Sequence, residues 1–319
     1  MKMDEKYYRT YSNYLKNTYG EKVYKLPINL PVTCPNRDGN LGRGGCIYCG
    51  DEGAGYECLD NKTSVKEQLE KNKNYISQKY KAHLFVAYFQ NFSNTYMPFD
   101  SFKNYIEECD EKDIVEVSIS TRPDCISERQ LDFLKAFSEK TGKAISIELG
   151  LQSVNPHTLE MINRGHSLAE FIDAVMQIKQ RGFKICTHLI LDLPWDDRTD
   201  VIEAAKILSA LKIDFIKLHA LYVVKNTKIA KLYEEKKFTL IEKDEYINRT
   251  VIFLEYLSEN IVIQRLIGRA PEENTVTANW NTSWWKIKDE ILEKMEAEGT
   301  VQGSKCNYLS GKALKNKSW

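Results

Sequence analysis

Short runs of branched and aromatic residues recur along the chain, with helix-like stretches between them. The runs that predict strands are KVYKLPINL (22–30), HLFVAYF (83–89), DIVEVSIS (113–120), AISIELGLQ (144–152), FKICTHLILDLP (183–194) and IDFIKLHALYVV (213–224). The stretches between them, such as SERQLDFLKAFSEK and LAEFIDAVMQIKQRG, repeat apolar residues at helical spacing. Six alternations of strand and helix predict parallel strands joined by right-handed crossovers.

Two of these strands carry a polar stripe along one face. Because side chains alternate across a strand, the stripes consist of Glu116, Ser118, Ser120 and Arg122 on one strand and Ser146, Glu148, Gly150 and Gln152 on the next. A parallel sheet buried on both faces reads as nearly continuous apolar sequence. The stripes therefore favour a curled, partly closed barrel with a ligand in its lumen, although a flavodoxin-like open sheet or strand ends in solvent also fit.

The pattern changes near residue 225. Helical stretches such as EKDEYINRTVIFLEYLSEN then dominate, with one short apolar run, IVIQRL. We predict an α/β fold, with a partial (β/α)6 barrel and N-terminal helix over residues 1–224. Residues 225–319 are predicted to form a small, mostly helical C-terminal extension that packs on the barrel and offers a contact for the substrate.

Composition limits the partners of the chain. Its 319 residues contain 45 Lys and Arg and 45 Asp and Glu, so no global basic field draws it to nucleic acid. Local candidates for RNA contact are the tail residues Lys305, Lys312, Lys315 and Lys317 and the tryptophans Trp280, Trp284 and Trp285. A solvated tail and a helix-packing cluster explain the same residues equally well.

The N-terminal segment MKMDEKYYRTYSNYLK is charged where a signal peptide needs an apolar stretch. No apolar run approaches the roughly 18 residues that span a bilayer. We therefore expect a cytoplasmic protein with no membrane partner.

Three of the eight cysteines lie in one loop, LPVTCPNRDGNLGRGGCIYCG (30–50), together with five glycines. Cys34, Cys46 and Cys49 follow the first predicted strand, at the carboxyl end of the sheet where α/β active sites are built. In a reducing compartment, clustered thiols more often bind metal than form disulfides. An iron-sulfur cluster held by three cysteines leaves one iron open to another ligand. Zinc needs a fourth protein ligand, such as Cys58 or a distant histidine, so the cluster is favoured.

The same loop, with Tyr48 just before its last cysteine, resembles the cluster loop of radical S-adenosylmethionine enzymes. The segments STRPDCI and IELGLQSVNPHTLEMINRGH resemble the third- and fourth-strand motifs of the branch that includes the catalytic subunit of Elongator. With KVYKLPINLPVTCPNRDG, AYFQNFSNTYMP, KLHALYVVKNT and RLIGRAPEE, the resemblance to the MnmL-like family of radical S-adenosylmethionine proteins covers most of the chain. That family is associated with side-chain remodelling of the wobble uridine of tRNA.

The resemblance implies a radical S-adenosylmethionine barrel in which Cys34, Cys46 and Cys49 hold a four-iron four-sulfur (4Fe-4S) cluster. The cluster would deliver one electron to S-adenosylmethionine and so generate a 5′-deoxyadenosyl radical. The implied cofactor contacts are Tyr48, Gln90, Arg122, Glu148, Gln152 and Arg164. Among these, Arg164 would pair with the methionine carboxylate, Gln90 would face its amine, and Glu148 and Gln152 would bind the ribose hydroxyls or the amine.

The implied partners are tRNA as substrate and a reductase, flavodoxin or ferredoxin as electron donor. The implied reaction converts 5-carboxymethylaminomethyluridine to 5-aminomethyluridine. Two other functions stay open: radical chemistry on another substrate, and a non-catalytic, zinc-dependent RNA-binding protein.

Overall fold

The computed structural model describes residues 3–50, 58–269 and 274–315, so that Lys317 of the tail lies outside the described residues. The strands in these ranges are β1 (Val23–Ile28), β2 (Leu84–Phe89), β3 (Ile114–Thr121), β4 (Ala144–Gln152), β5 (Lys184–Ile190), β6 (Phe215–His219), β7 (Val223–Val224), β8 (Val262–Arg265) and β9 (Thr275–Thr277). The α-helices are α1 (Tyr11–Tyr19), α2 (Val65–Tyr80), α3 (Phe99–Glu107), α4 (Glu128–Thr141), α5 (Pro156–Met161), α6 (Leu168–Gln180), α7 (Arg198–Ala210), α8 (Lys228–Glu234), α9 (Lys243–Tyr256) and α10 (Trp284–Ala297).

Seven parallel strands form one sheet in the order β1-β2-β3-β4-β5-β6-β8. The sheet curls into a half-barrel with helices on its outer face, which confirms the predicted α/β partial barrel. The seventh strand, β8, comes from the IVIQRL run that the sequence assigns to the C-terminal extension. The extension therefore contributes a strand to the same sheet as residues 1–224. The domain boundary after residue 224 stays a prediction.

Local sequence signals explain where several helices begin and end. The side chains of Ser64 and Ser167 each cap a helix in a reciprocal pair with a glutamate three residues later. Gly142 ends α4 in the left-handed conformation with φ of 71°, which costs glycine little. Such caps stabilise a helix by about 1 kcal/mol each, so they help to fix the crossovers between strands.

The two faces of the sheet differ as the alternation predicts. Ile119, Ile147 and Leu149 are fully buried in the apolar core between sheet and helices. Burying such a side chain contributes roughly 1.5–3 kcal/mol. Ser118 and Glu148 lie on the opposite face, where the Ser118 hydroxyl donates to Glu148 Oε1 at 3.1 Å. The polar stripe therefore faces the lumen.

Helix α1 packs against both β1 and β8, the two edge strands of the sheet. The rings of Tyr11 and Tyr14 meet Phe215 edge-on, with centroids 5.4 and 5.0 Å away. The backbone N–H of Ile263 in β8 donates to the carbonyl of Arg9 just before this helix, at 2.8 Å. The helix thus spans the gap between the edges of the half-barrel.

A cavity of about 1060 Å³ occupies the lumen, and its lining includes residues of β1 through β6 and β8. It also reaches the cysteine loop and the first turns of α1 and α10. A membrane-spanning helix is absent from the described ranges, since none combines the required length and hydropathy.

Candidate active site

The cysteine loop is fixed to the rest of the protein by backbone contacts. The N–H of Cys49 donates to the carbonyl of Cys46 at 2.9 Å, which closes a tight turn between these two cysteines. The N–H of Ile47 donates to the carbonyl of Ile162 at 3.0 Å, and the Asn163 amide donates to the carbonyl of Gly45 at 2.8 Å. The turn that precedes Arg164 therefore holds the loop in place.

Each of the three loop sulfurs has an N–H donor of an arginine within range. Arg122 Nη1 lies 3.9 Å from Cys34 Sγ, Arg164 Nη1 lies 3.5 Å from Cys46 Sγ, and Arg37 Nη1 lies 3.5 Å from Cys49 Sγ. The Asn36 amide adds a second donor to Cys46 Sγ at 3.8 Å. Cationic donors favour the thiolate, the form that binds metal, and hydrogen bonds to sulfur tune the clusters that thiolates hold.

Burial acts in the opposite direction on these thiols. Burial and the neighbouring Cys46 raise the pKa of the Cys49 thiol to about 11, against the effect of Arg37. Cysteines that bind metal must lose their proton, so binding at this loop would release protons to solvent.

The spacing of the three sulfurs distinguishes the metals that the sequence left open. Among the described residues, only Glu148, Cys186 and His188 form a set of three ligand atoms all within 4.8 Å of one another. At least one pair of loop sulfurs is therefore farther apart than 4.8 Å, whereas tetrahedral zinc holds two thiolates about 3.8 Å apart. Cys58 Sγ instead lies 3.8 Å from Gln90 Oε1. The loop suits a polynuclear cluster better than one zinc ion.

Gln152 and Arg164 converge on Gly150, near the carboxyl end of β4. A Cβ at Gly150 would lie 2.8 Å from Gln152 Nε2 and 2.9 Å from Arg164 Nη2, so it would displace the ends of both side chains. A bulge between Gly150 and Gln152 re-aims the glutamine, which has φ of 77°. Such backbone strain in a non-glycine residue is concentrated at functional sites.

Arg164 is buried, yet one of its donors has no partner. Its Nη2 donates to the carbonyl of Gly150 at 2.6 Å, and its Nη1 lies against Cys46, but Nε is buried without a hydrogen-bond acceptor. An unmade hydrogen bond of a buried charged group is costly. A carboxylate bound beside the cysteine loop would satisfy this donor, as the resemblance implies for the methionine group of S-adenosylmethionine.

Three other expected cofactor contacts lie around the same cavity. Tyr48 and Gln90 line it, as does Arg122, although most donors of Arg122 are already used. Arg122 Nε and Nη2 donate to the carboxylate of Asp124 at 2.8 and 2.6 Å, and its Nη1 donates to the carbonyl of Arg164 at 2.8 Å. Its geometry suits positioning of Arg164 and of Cys34 more than direct contact with a cofactor.

Glu148 lies deeper in the lumen and is saturated by protein groups. Lys25 contacts its Oε1, while Lys217 Nζ and His188 Nε2 each lie 2.7 Å from its Oε2. Burial opposes ionisation of Glu148, but Lys217, Lys25 and His188 hold its pKa well below the usual value. Two ammonium groups on this carboxylate also repel a cation, so Glu148, Cys186 and His188 do not form a metal site.

The expected RNA contacts fall into two groups. Trp280 is a packing residue, because its Nε1 donates to the carbonyl of Ile241 at 2.7 Å and its ring lies 5.1 Å from that of Tyr246. Trp284 and Trp285 are 42% and 50% exposed, and Trp284 lies on the cavity lining. Only the latter two offer ring faces to a nucleobase.

Sequence reasoning missed Asn36 and Arg37 at the sulfurs, and Lys25 and Lys217 at Glu148. Arg37 lies three residues after Cys34, so the motif itself contained this signal. Lys25 and Lys217 fall on the lumen-facing positions of β1 and β6, but only the folded sheet brings them to Glu148.

A parallel half-barrel with a three-cysteine loop at its carboxyl end defines a class of radical enzymes. The model of the Radical SAM superfamily matches residues 29–208, and that of the Radical SAM C-terminal domain matches residues 213–297. The chain belongs to the radical SAM superfamily, where SAM denotes S-adenosylmethionine.

The chain is also similar to several known proteins. It is 32% identical to the uncharacterized protein YtqA of Bacillus subtilis (strain 168), over 94% of this chain and 92% of that protein. It is 27% identical to the tRNA uridine(34) acetyltransferase of Methanocaldococcus jannaschii, over 44% of this chain and 26% of that protein. The solved structure of the archaeal Methanocaldococcus infernus Elp3 has a similar fold, with a TM-score of 0.67 at 17% identity. That match covers 88% of this chain and 64% of the Elp3 chain, so the likeness is one of fold and spans less than two thirds of that chain.

Proposed function

We propose that this protein is a radical SAM enzyme that converts 5-carboxymethylaminomethyluridine at the wobble position of tRNA to 5-aminomethyluridine. One observation carries the proposal: a single cavity joins the three loop thiols to a strongly basic lining in a chain of zero net charge. The similarity to a tRNA uridine(34) acetyltransferase supports a substrate at the same nucleotide.

The charge of the cavity favours a polyanionic substrate. Its lining carries nine basic side chains and three acidic ones, whereas the whole chain carries 45 of each. The basic ones are Lys16, Lys22, Lys25, Arg37, Arg122, Arg164, Lys217, Arg265 and Lys288, and the acidic ones are Asp4, Glu5 and Glu148. A cleft that is lined by charges of one sign raises the local concentration of oppositely charged ligands. Exposed Trp284 at the edge of this cavity suits stacking on an unpaired base.

The residues present fit the two cofactors of the superfamily. Cys34, Cys46 and Cys49 would hold the 4Fe-4S cluster, and the unpartnered Nε of Arg164 would receive the methionine carboxylate. Gln90, Gln152 and Tyr48 line the same space. When bound, the cluster supplies the electron that cleaves S-adenosylmethionine to methionine and a 5′-deoxyadenosyl radical. The protein positions these groups and keeps water from them.

The side chain of the proposed substrate has one C–H position suited to this chemistry. Its methylene lies between an amine and a carboxylate, and donor and acceptor together stabilise a carbon radical there. Loss of a hydrogen atom to the 5′-deoxyadenosyl radical, and then of a proton and one electron that would return to the oxidised cluster, gives an imine. Water then cleaves the C–N bond to leave the primary amine and a two-carbon oxo acid. One S-adenosylmethionine is consumed as the two-electron oxidant per side chain, with a flavodoxin, ferredoxin or reductase supplying the priming electron.

Nucleoside analysis tests the proposal. Mass spectrometry of tRNA from a strain lacking the gene should show more 5-carboxymethylaminomethyluridine and less 5-aminomethyluridine than the parent strain. A plasmid encoding the wild-type protein should restore the parent profile, and so should Cys306→Ala, whose cysteine lies outside the loop. Cys46→Ala should not restore it. An unchanged wobble-uridine profile in the deletion strain would refute this substrate.

A further inference from the structure

The lumen contains more positive than negative charge beyond the cysteine loop. Lys25, Lys217 and Arg265, together with Glu148, form what we call the basic cluster, and all four line the cavity. Glu148 is the carboxylate that Lys25 and Lys217 contact, whereas Arg265 has no carboxylate partner among the described residues and contacts His219. Three cations thus line this part of the cavity beside a single anion, which only Lys25 and Lys217 contact.

Nearby groups do not supply the missing negative charge. Burial and then Lys217 lower the pKa of His188 to about 4, and burial and Arg265 lower that of His219 well below its usual value, so both imidazoles are neutral at pH 7. Glu116 belongs to the polar stripe of the neighbouring strand. Burial raises the pKa of its carboxyl group, although the hydrogen bond that it accepts from Ser146 acts in the opposite direction. Glu116 is not on the cavity lining.

The donors of the basic cluster are also incompletely used. Arg265 Nη2 lies 2.9 Å from His219 Nδ1, but its Nε is buried without a hydrogen-bond acceptor. The ammonium groups of Lys25 and Lys217 lie 4.4 and 4.5 Å from the ring centroid of Tyr88. Besides Glu148, Lys25 donates to Gln264 Oε1 at 2.8 Å and Lys217 donates to the Tyr88 hydroxyl at 3.0 Å. Lys217 is 7% exposed, so water does little to screen its charge. Cations whose charge is only partly compensated are stabilised when a ligand supplies a further negative charge.

We propose that the basic cluster binds a carboxylate of the substrate, and that this contact selects a wobble uridine whose side chain ends in a carboxylate. The inference rests on the proposed function, because that substrate carries such a group and its product does not. Arg265 on β8 would supply its guanidinium, and Lys25 and Lys217 would supply charge from β1 and β6. The carboxylate leaves with the two-carbon fragment, so the same contact would favour release of the product.

The carboxylate site is separate from the donor expected to hold the cofactor. Arg164 contacts Cys46 and Gly150, whereas Arg265 contacts His219 on the neighbouring strand. Substituting Arg265 should therefore leave binding of S-adenosylmethionine intact. Arg265 is also the member of the basic cluster whose removal leaves no carboxylate unpaired, which makes it the safest position to change.

Equilibrium binding to three synthetic anticodon stem-loops tests the proposal. They carry 5-carboxymethylaminomethyluridine, 5-aminomethyluridine or unmodified uridine at the wobble position. The anaerobically prepared holoprotein should bind the first at least about tenfold more tightly than the second, as expected for a charge-assisted hydrogen bond. Arg265→Gln should reduce that preference to less than about threefold, while Arg198→Gln, at an exposed surface pair, should retain it.

Three results would overturn the carboxylate site. One is a wild-type protein that binds all three stem-loops equally or not at all. The second is a preference that persists in Arg265→Gln, and the third is a loss of S-adenosylmethionine affinity in that variant. A uniform weakening of all three stem-loops would instead indicate a phosphate contact and also reject the proposal. The nucleoside profile of the deletion strain decides the proposed function independently of these binding results.

Discussion

The sharpest consequence for stability concerns Glu148, whose side chain is completely buried. Replacing it with glutamine removes the anion that Lys25 and Lys217 share and leaves two ammonium groups facing each other in the lumen. Breaking a buried ion pair by removal of one partner costs about 3–5 kcal/mol, because the remaining charge is uncompensated. We therefore expect Glu148→Gln to lower the free energy of unfolding by that amount.

Urea unfolding followed by circular dichroism measures this loss. The matched control is Glu290→Gln, which removes a half-exposed pair with Lys243 and should cost about 1 kcal/mol or less. Adding Lys217→Met to Glu148→Gln should recover part of the loss, because one uncompensated cation is then removed. A cost below about 1 kcal/mol for Glu148→Gln, with an unchanged dependence on urea, would show that water screens the basic cluster and would refute the argument.

Three further predictions follow from single contacts. Arg164→Lys keeps the charge but loses the planar fork, so S-adenosylmethionine affinity should fall about tenfold or more in equilibrium dialysis, while Arg198→Lys should not change it. Gly150→Ala pushes on the ends of two side chains at 2.8 and 2.9 Å, so it should weaken S-adenosylmethionine binding severalfold and shift the urea midpoint little. Burial and Lys217 lower the pKa of His188 from 6.5 to about 4 in the folded protein. As the pH falls, the unfolded chain therefore binds a proton at this histidine before the folded protein does. The free energy of unfolding should thus fall by about 3 kcal/mol between pH 6.5 and 4, and His188→Gln should remove that part of the loss in unfolding measured at both pH values.

The barrel could be predicted from the sequence because its signals are local. Branched residues, helical spacing and caps such as Ser167 act within a few positions of one another, and six strands emerge from them. The seventh, Val262–Arg265, has four residues. So short a run carries little periodicity, and its identity as a strand depends on pairing with β6, which lies more than 40 positions earlier.

The cysteine loop was predictable for a similar reason. Its spacing and its place after the first strand are contained in one segment, and Arg164 follows Gln152 closely enough to be read with it. The donors to the sulfurs were harder to predict, because Arg122 reaches Cys34 from the end of a different strand. Which N–H group lies beside which thiol depends on how the strand ends converge in the folded sheet.

The role of Glu148 shows what alternation alone cannot decide. Its position on the polar stripe correctly predicts that it faces the lumen, but that side chain is saturated by Lys25 and Lys217, which are 123 and 69 positions away. Lys25 lies on edge strand β1, where lysine commonly protects a sheet edge from pairing, so its sequence gives no reason to expect a buried ion pair. Because Glu148 neutralises only part of the positive charge that faces it, it is better understood as a counter-ion than as a cofactor ligand, and the charge that remains is available to the substrate.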